Sequence, residues 1–150
     1  MALILIAVGL SACSFAKPIG KYSELASSYN SIADQEDYST RIATTPARTV
    51  SPTGAGDKVI VHTFNKQVTA IDITATRNQF VSDTPSKGTY SMAVMMAAAT
   101  LMAHQDHLKL LTAAESTAKN MSKKTVNLGK AKAVLNGTDP KHWTCIITAK

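Results

Sequence analysis

The four histidines are the side chains of this chain best suited to bind a transition metal. His104 and His107 stand three positions apart in "HQDH", a spacing that brings both to one face of a helix. His62 and His142 fall in predicted strands and would have to converge on that pair. Because no Cys cluster or HExxH motif accompanies them, a solvated helix end is the simpler interpretation. Zinc or copper binding by His104 and His107 stays an alternative.

Other patterns that carry chemistry are weak. Met92, Met95 and Met96 are soft ligands of the kind used for copper, but their spacing inside an apolar run is also what core packing produces. "GAGD" lacks the third glycine and the helix of a phosphate-binding loop, and no GxSxG motif is present. The carboxylates of "DQED" (34–37) and Asp72 form no acid–base pair that can be argued. The sequence therefore predicts a protein that is not an enzyme and has no cofactor.

Positive charge is concentrated in the last third of the chain. Residues 1–108 carry eight Lys or Arg against eight Asp or Glu, whereas residues 109–150 carry eight against two. The lysines predicted to contact a partner or an anion are Lys119, Lys123, Lys124, Lys130 and Lys132. A solvated loop is the simplest interpretation of "KNMSKK" (119–124), and contact with an acidic partner protein, lipopolysaccharide or peptidoglycan is the functional one. No aromatic residues interleave with these lysines, which argues against nucleic-acid binding.

A short uncharged apolar run lies near the start of the sequence. Residues 2–10 are too few to span a bilayer, which takes about 20 residues, but they have the length of the apolar region of a signal peptide. The tetrapeptide that follows is Leu10, Ser11, Ala12 and Cys13. This "LSAC" resembles the lipobox of bacterial lipoproteins.

The resemblance implies a processed and lipidated protein. A dedicated peptidase would remove residues 1–12, and Cys13 would then carry the acyl chains that anchor the protein to a membrane. Because Ser14 rather than Asp follows the cysteine, the resemblance further implies sorting to the outer membrane, facing the periplasm. Cys145 is then interpreted as a buried strand thiol, with a Cys13–Cys145 disulfide as the alternative for a protein exported without lipid.

Composition, together with the positions of Pro and Gly, divides the rest of the chain into two parts. Residues 13–57 are polar and rich in Ser and Thr, with Pro and Gly near their end, and are predicted to form a lipidated N-terminus and a flexible tether with a short helix at 22–36. Residues 58–150 are predicted to form a small α+β domain. The 45% hydrophobic and 17% charged composition is typical of a globular protein.

Alternation of β-branched and polar residues predicts the strands. Segments 58–65 and 67–77 alternate with period two and are predicted to form a hairpin turning at Asn65 and Lys66. A strand is favoured over a helical continuation at 108–117. A final hairpin is predicted from 130–136 and 142–150, around the turn signal "NGTDP".

The segment 83–107 predicts one helix, which is apolar on most of its circumference between Met92 and Ala103. The expected fold is thus α+β, with one buried central helix packed on a small antiparallel or mixed sheet and an extended N-terminal tether before it. Tyr90, "AAAT" (97–100) and "LKLLTAAES" (108–116) are similar to small envelope lipoproteins in which an Ala-rich helix is followed by a strand. This similarity implies a fold rather than an activity.

The predicted function follows from the lipobox, the tether and the lack of a catalytic set. We expect an outer-membrane-anchored lipoprotein that is a structural or accessory binding subunit of a cell-envelope assembly. Its expected partners are the membrane, through the lipid at Cys13, and another envelope protein. The alternative is a periplasmic lipoprotein that binds metal or senses envelope stress.

Overall fold

The structure is a computed structural model, and it describes residues 16–36, 41–43, 58–81 and 90–150. Outside these ranges lie the predicted signal peptide, Cys13, part of the predicted tether and the start of the predicted 83–107 helix. The predictions made for them therefore stay predictions.

Helices and strands are mixed along the described chain, which confirms the α+β class. The elements are β1 (Gly20–Lys21), α1 (Tyr22–Gln35), β2 (Lys58–Phe64), β3 (Gln67–Thr76), α2 (Asn78–Val81), α3 (Tyr90–Met102), α4 (Asp106–Lys119), β4 (Lys123–Leu128), β5 (Ala131–Asn136) and β6 (His142–Ala149). Among the described residues, no helix is both long and apolar enough to cross a membrane.

All described strand pairs are antiparallel, and the main order across the sheet is β2-β3-β6-β5-β4. The short β1 pairs with the first two residues of β3. The final β5–β6 hairpin is confirmed, with Leu135 opposite Cys145. β6 lies between β5 and β3, so the last strand in the chain occupies the middle of the sheet.

The β2–β3 hairpin is confirmed, together with its turn at Asn65 and Lys66. Both residues have positive φ, 48° and 62°, as a two-residue turn of type I′ requires. The register shifts between His62 and Thr63, which leaves Thr69 as the extra residue of a β-bulge. The Thr69 hydroxyl donates a hydrogen bond to the carbonyl oxygen of His62 (3.2 Å).

The core lies between one face of the sheet and the helices. Every second strand residue points into it, as Val59 and Val61 do on β2 and Ile71 and Ile73 on β3. Trp143 of β6 is fully buried. Burial removes these apolar side chains from water, and this stabilises the fold.

α3 confirms a helix at the apolar run, but it ends at Met102, and His107 at the end of the predicted 83–107 helix belongs to α4. Ala97, Ala98 and Ala99 are fully buried, and α3 packs between α1 and α4. The small alanine side chains allow this close approach. Met95 is also fully buried, which fits its interpretation as a core residue.

The predicted strand at 108–117 is wrong, because this segment belongs to α4. Its buried residues are Leu110, Ala113, Ala114, Thr117 and Ala118, together with Asp106 at its first turn. Spacings of three and four residues place them on one face of a helix, whereas a strand would put every second residue on one side. The strand that precedes the final hairpin is instead β4, which begins inside the 119–124 segment predicted as a loop.

The helix predicted at 22–36 is confirmed as α1, but it is part of the packed core. Tyr22, Leu25 and Tyr29 are at most 1% exposed, and Ile19 before the helix is fully buried. The packed part of the chain therefore includes residues of the segment predicted as a tether.

Candidate functional site

The lysines predicted to contact a partner lie in several places. Lys124 is on the helix side of β4, since it alternates with Thr125 and shares its side with the buried Val126. Lys123 and Lys132 are on the opposite side of the sheet. Each stands an odd number of residues from an inward-pointing residue of its own strand, Leu128 on β4 and Ala133 on β5. The structure thus separates two lysines that are adjacent in the sequence.

The other two predicted lysines lie at chain reversals. Lys119 ends α4, where a cation is favourable beside the helix carbonyls. Its carbonyl oxygen and that of Ala118 accept hydrogen bonds from the Arg77 guanidinium, at 3.4 and 2.6 Å. Lys130 follows Gly129 in the β4–β5 turn, and its carbonyl accepts a bond from the Lys150 amide (3.0 Å). Neither of these two lysines lines the groove described next.

A groove of about 560 Å³ runs between α4 and β4. One wall is α4 and the other is β4; the lining residues are Leu108, Lys109, Thr112, Ala113, Lys124, Thr125, Val126 and Asn127. The β4 residues of this lining are consecutive, so side chains from both sides of the strand reach the groove. The groove therefore follows the edge of the strand and not only its inner face. We call it the α4–β4 groove.

β4 is an edge strand of the described sheet. It pairs with β5 on one side, and in the described part of the chain no strand pairs with its other side. An edge strand directs every second pair of backbone N–H and C=O groups away from the sheet, where an incoming strand can bind them. A helix beside such an edge adds side-chain contacts to these backbone bonds.

The side chains around the groove combine an apolar contact with positive charge. Leu108 is 62% exposed, which leaves apolar surface for a partner. Lys109 is bonded to Asp106, with Nζ 2.9 Å from Oδ1, so its charge is partly balanced. For Lys124, the described residues provide no ion pair. The groove is therefore suited to an extended acidic segment with an apolar side chain.

The histidines do not assemble into one site. His104 and His107 are neighbours, with ring centroids 5.8 Å apart, and Nδ1 of His107 donates to the His104 carbonyl oxygen (2.6 Å). His62 is paired with Asp72 instead, and His142 with Asp139. Across the described ranges, no group of three or more His, Cys, Asp or Glu side chains is arranged to hold a metal ion.

A second cavity, of about 470 Å³, lies on the side of the sheet away from the helices. His62 and Asp72 line it, with Nε2 of the ring 2.9 Å from Oδ2 of the carboxylate. Such a pair can orient an imidazole as a base, but catalysis also needs a nucleophile in contact with the ring. In the part of the chain that the structure describes, the ring is bonded to Asp72 and to no hydroxyl or thiol. The cavity therefore lacks a described catalytic set.

Cys145 is buried in the core, and this position makes its thiol unreactive. Its side chain is fully buried in β6, which confirms the interpretation as a core thiol. Burial raises the pKa of the thiol, and the Asp72 carboxylate raises it further. A thiol held in its neutral form is a poor nucleophile and a poor metal ligand. Its predicted alternative partner, Cys13, lies outside the described residues.

The groove could not be found from the sequence because both of its walls were misassigned. The sequence predicts a strand at 108–117, within α4, and a loop at 119–124, which includes the start of β4, so no groove between them was expected. One usable signal was the alternation of Val126 and Leu128 in "KKTVNL", which places a short strand beside charged residues, as is typical of an edge strand. The chain matches no known family model, and it matches no curated protein and no solved structure.

Proposed function

We propose that the protein is an outer-membrane-anchored lipoprotein and that it is a structural or accessory binding subunit of a cell-envelope assembly. Two observations support this, one for each half of the proposal. The lipobox-like "LSAC" supports acylation at Cys13. The α4–β4 groove, beside an open strand edge, supports the binding of a partner, and it is the observation on which the binding role rests.

The partner is an extended peptide segment that adds a strand to β4. Backbone hydrogen bonds to the open edge supply affinity in this mode, and pockets for alternate side chains supply specificity. The Leu108 side chain accepts an apolar residue of the segment, and Lys124 favours a carboxylate near it. The same arrangement agrees with a binding protein that needs no catalytic group.

Acylation is tested by the intact mass of the protein extracted from bacterial membranes, with Cys13→Ala as the matched variant. We expect a product that begins at residue 13 and carries acyl chains, and we expect this product to be missing from the variant. An unprocessed, unmodified mass for the wild-type chain would refute the anchor.

The binding role is tested by cross-linking in cells. A photo-cross-linking residue replaces Thr112 in the groove or, as the control, Thr144 on the other side of the sheet. We expect one adduct of defined mass from position 112 only. Lys124→Glu is expected to remove the adduct, whereas Lys123→Glu, with the same charge change one residue away, is expected to leave it. Equal adducts from both positions, or an adduct insensitive to Lys124→Glu, would refute the groove as the binding site.

A further inference from the structure

The face of the sheet that points away from the helices has an apolar centre. Val134 of β5 stands directly opposite Ile146 of β6, and the two side chains are 41% and 47% exposed. Ile60 and Asp72 continue the same row on β2 and β3. Within the described residues no helix packs on this side. We call it the open sheet face.

Lysines surround this apolar centre. Lys58, Lys123 and Lys132 point to the open sheet face, since each alternates with inward-pointing residues of its strand. Lys17 and Lys150 line the second cavity, whose floor is formed by residues of the same face. All five are exposed. Neighbouring strands are about 4.8 Å apart, so the lysines are spread over a face about 19 Å wide from β2 to β4.

Among the described residues, few carboxylates oppose these lysines. Asp72 lies on the open sheet face but is paired with His62, and Asp139 lies in the loop before β6, beside His142. The remaining described carboxylates belong to α1 and α4, on the other side of the sheet, or to the residue that follows α1. In the described ranges none of the five lysines makes an ion pair. The open sheet face therefore presents net positive charge around exposed aliphatic side chains.

The N-terminal segment reaches the protein at this same face. Ala16 and Lys17 line the second cavity beside His62 and Ile146. Cys13 precedes Ala16 by three residues, and three residues span at most about 11 Å whatever their conformation. An acyl anchor on Cys13 is thus held close to the open sheet face.

We propose that the open sheet face rests on the membrane and binds its anionic lipid headgroups. This inference rests on the proposed anchor at Cys13 for its location, but the chemistry of the face stands on its own. The lysines bind phosphate groups at the membrane surface, and Ile146 and Val134 contact the boundary between headgroups and acyl chains. The α4–β4 groove, at the edge of the sheet and toward the helices, stays accessible to the partner.

The test uses the full chain with Cys13→Ser, which cannot be acylated at that position. It is mixed with vesicles of phosphatidylcholine alone or of phosphatidylcholine with phosphatidylglycerol, and the bound fraction is measured by co-sedimentation at two salt concentrations. We expect binding that depends on the anionic lipid and weakens with salt. Because a lysine at such a surface changes the partition coefficient about five-fold, Lys123→Glu/Lys132→Glu is expected to lower it at least about 25-fold.

The matched control is Lys109→Glu/Lys124→Glu, which makes the same change of charge at the α4–β4 groove. We expect it to lower the partition coefficient less than about five-fold, since these lysines are on the helix side and are screened within about 10 Å. All variants carry the same N-terminal run and are checked for equal thermal unfolding. Equal losses from both pairs, or no preference for anionic vesicles, would overturn the proposal. Failure of the anchor alone would appear only in the mass of the membrane-extracted protein, and not in this assay.

Discussion

The buried hydrogen bond between Trp143 and Thr117 should make a measurable contribution to stability. The indole Nε1–H of the fully buried Trp143 donates to Oγ1 of Thr117 at 2.9 Å, and Thr117 is 1% exposed. Thr117→Val keeps the shape of the side chain but removes the acceptor. A buried donor without a partner costs about 1–3 kcal/mol, so we expect the free energy of unfolding to fall by about 2 kcal/mol.

This loss can be measured with one intrinsic probe. Trp143 is the only tryptophan, so its fluorescence follows urea unfolding at the site of the change. For a domain of this size, the melting temperature should fall by about 4–8 °C. The Thr117 hydroxyl also lies 2.8 Å from the Ala113 carbonyl oxygen, but that carbonyl belongs to the α4 ladder, and the loss of this contact should add little.

A double-mutant cycle with Trp143→Phe isolates the pair. Phenylalanine has no N–H to leave unpaired, so in that background Thr117→Val should lower the free energy of unfolding by about 1–2 kcal/mol less than in the wild type. Unfolding of the variants without tryptophan is followed by circular dichroism. A coupling below about 0.5 kcal/mol would refute the reasoning, because independent sites already add to within that error.

Three further predictions concern one glycine and two ionisable groups. Gly137→Ala should lower the free energy of unfolding by at least about 1–3 kcal/mol, because the new Cβ would overlap the backbone carbonyl of Thr117; an unchanged urea midpoint would contradict this. Since burial raises the pKa of Cys145, a thiol reagent should label it slowly in the native protein at mildly alkaline pH and rapidly in urea, and fast native labelling would show that the thiol is accessible. Backbone N–H groups of Lys141 and His142 lower the pKa of Asp139, so its stabilising effect should be present above the ordinary pKa of 3.8 and be lost as the pH falls through the lower native value. Urea midpoints of wild type and Asp139→Ala should therefore converge in acid, and a gap independent of pH would argue against it.

Period-two alternation predicted four of the strands, β2, β3, β5 and β6. The hairpin at 58–77 and the strands at 130–136 and 142–150 were visible because buried apolar residues alternate with more exposed ones along them. The α3 helix was equally visible, since a run as apolar as Met92–Ala103 is expected to bury most of its side chains.

Period-two alternation gave a wrong prediction where only a few residues carried the pattern. Leu108, Leu110 and Thr112 fit a strand, but α4 is decided by Ala113 and Thr117 further along, which are small or polar and weigh little in a hydrophobic pattern. α1 was predicted as a helix but within a tether, because Pro and Gly near the end of segment 13–57 interrupt regular structure. Because the α4–β4 groove depends on both α4 and β4, the candidate site could be predicted only as a set of lysines, without the surface to which each belongs.

The central position of β6 has a consequence for how the chain folds. The hairpins β2–β3 and β4–β5–β6 join residues close in sequence, whereas β3 pairs with β6 between Thr76 and His142, across α3, α4 and two strands. Closing so long a loop is entropically costly, and we expect the β3–β6 pairing to form after the local hairpins. Until residues 142–149 have been synthesised, the inner edges of β3 and β5 both lack their partner. A chain interrupted before that point therefore exposes two strand edges at once, and is expected to aggregate or to require a chaperone.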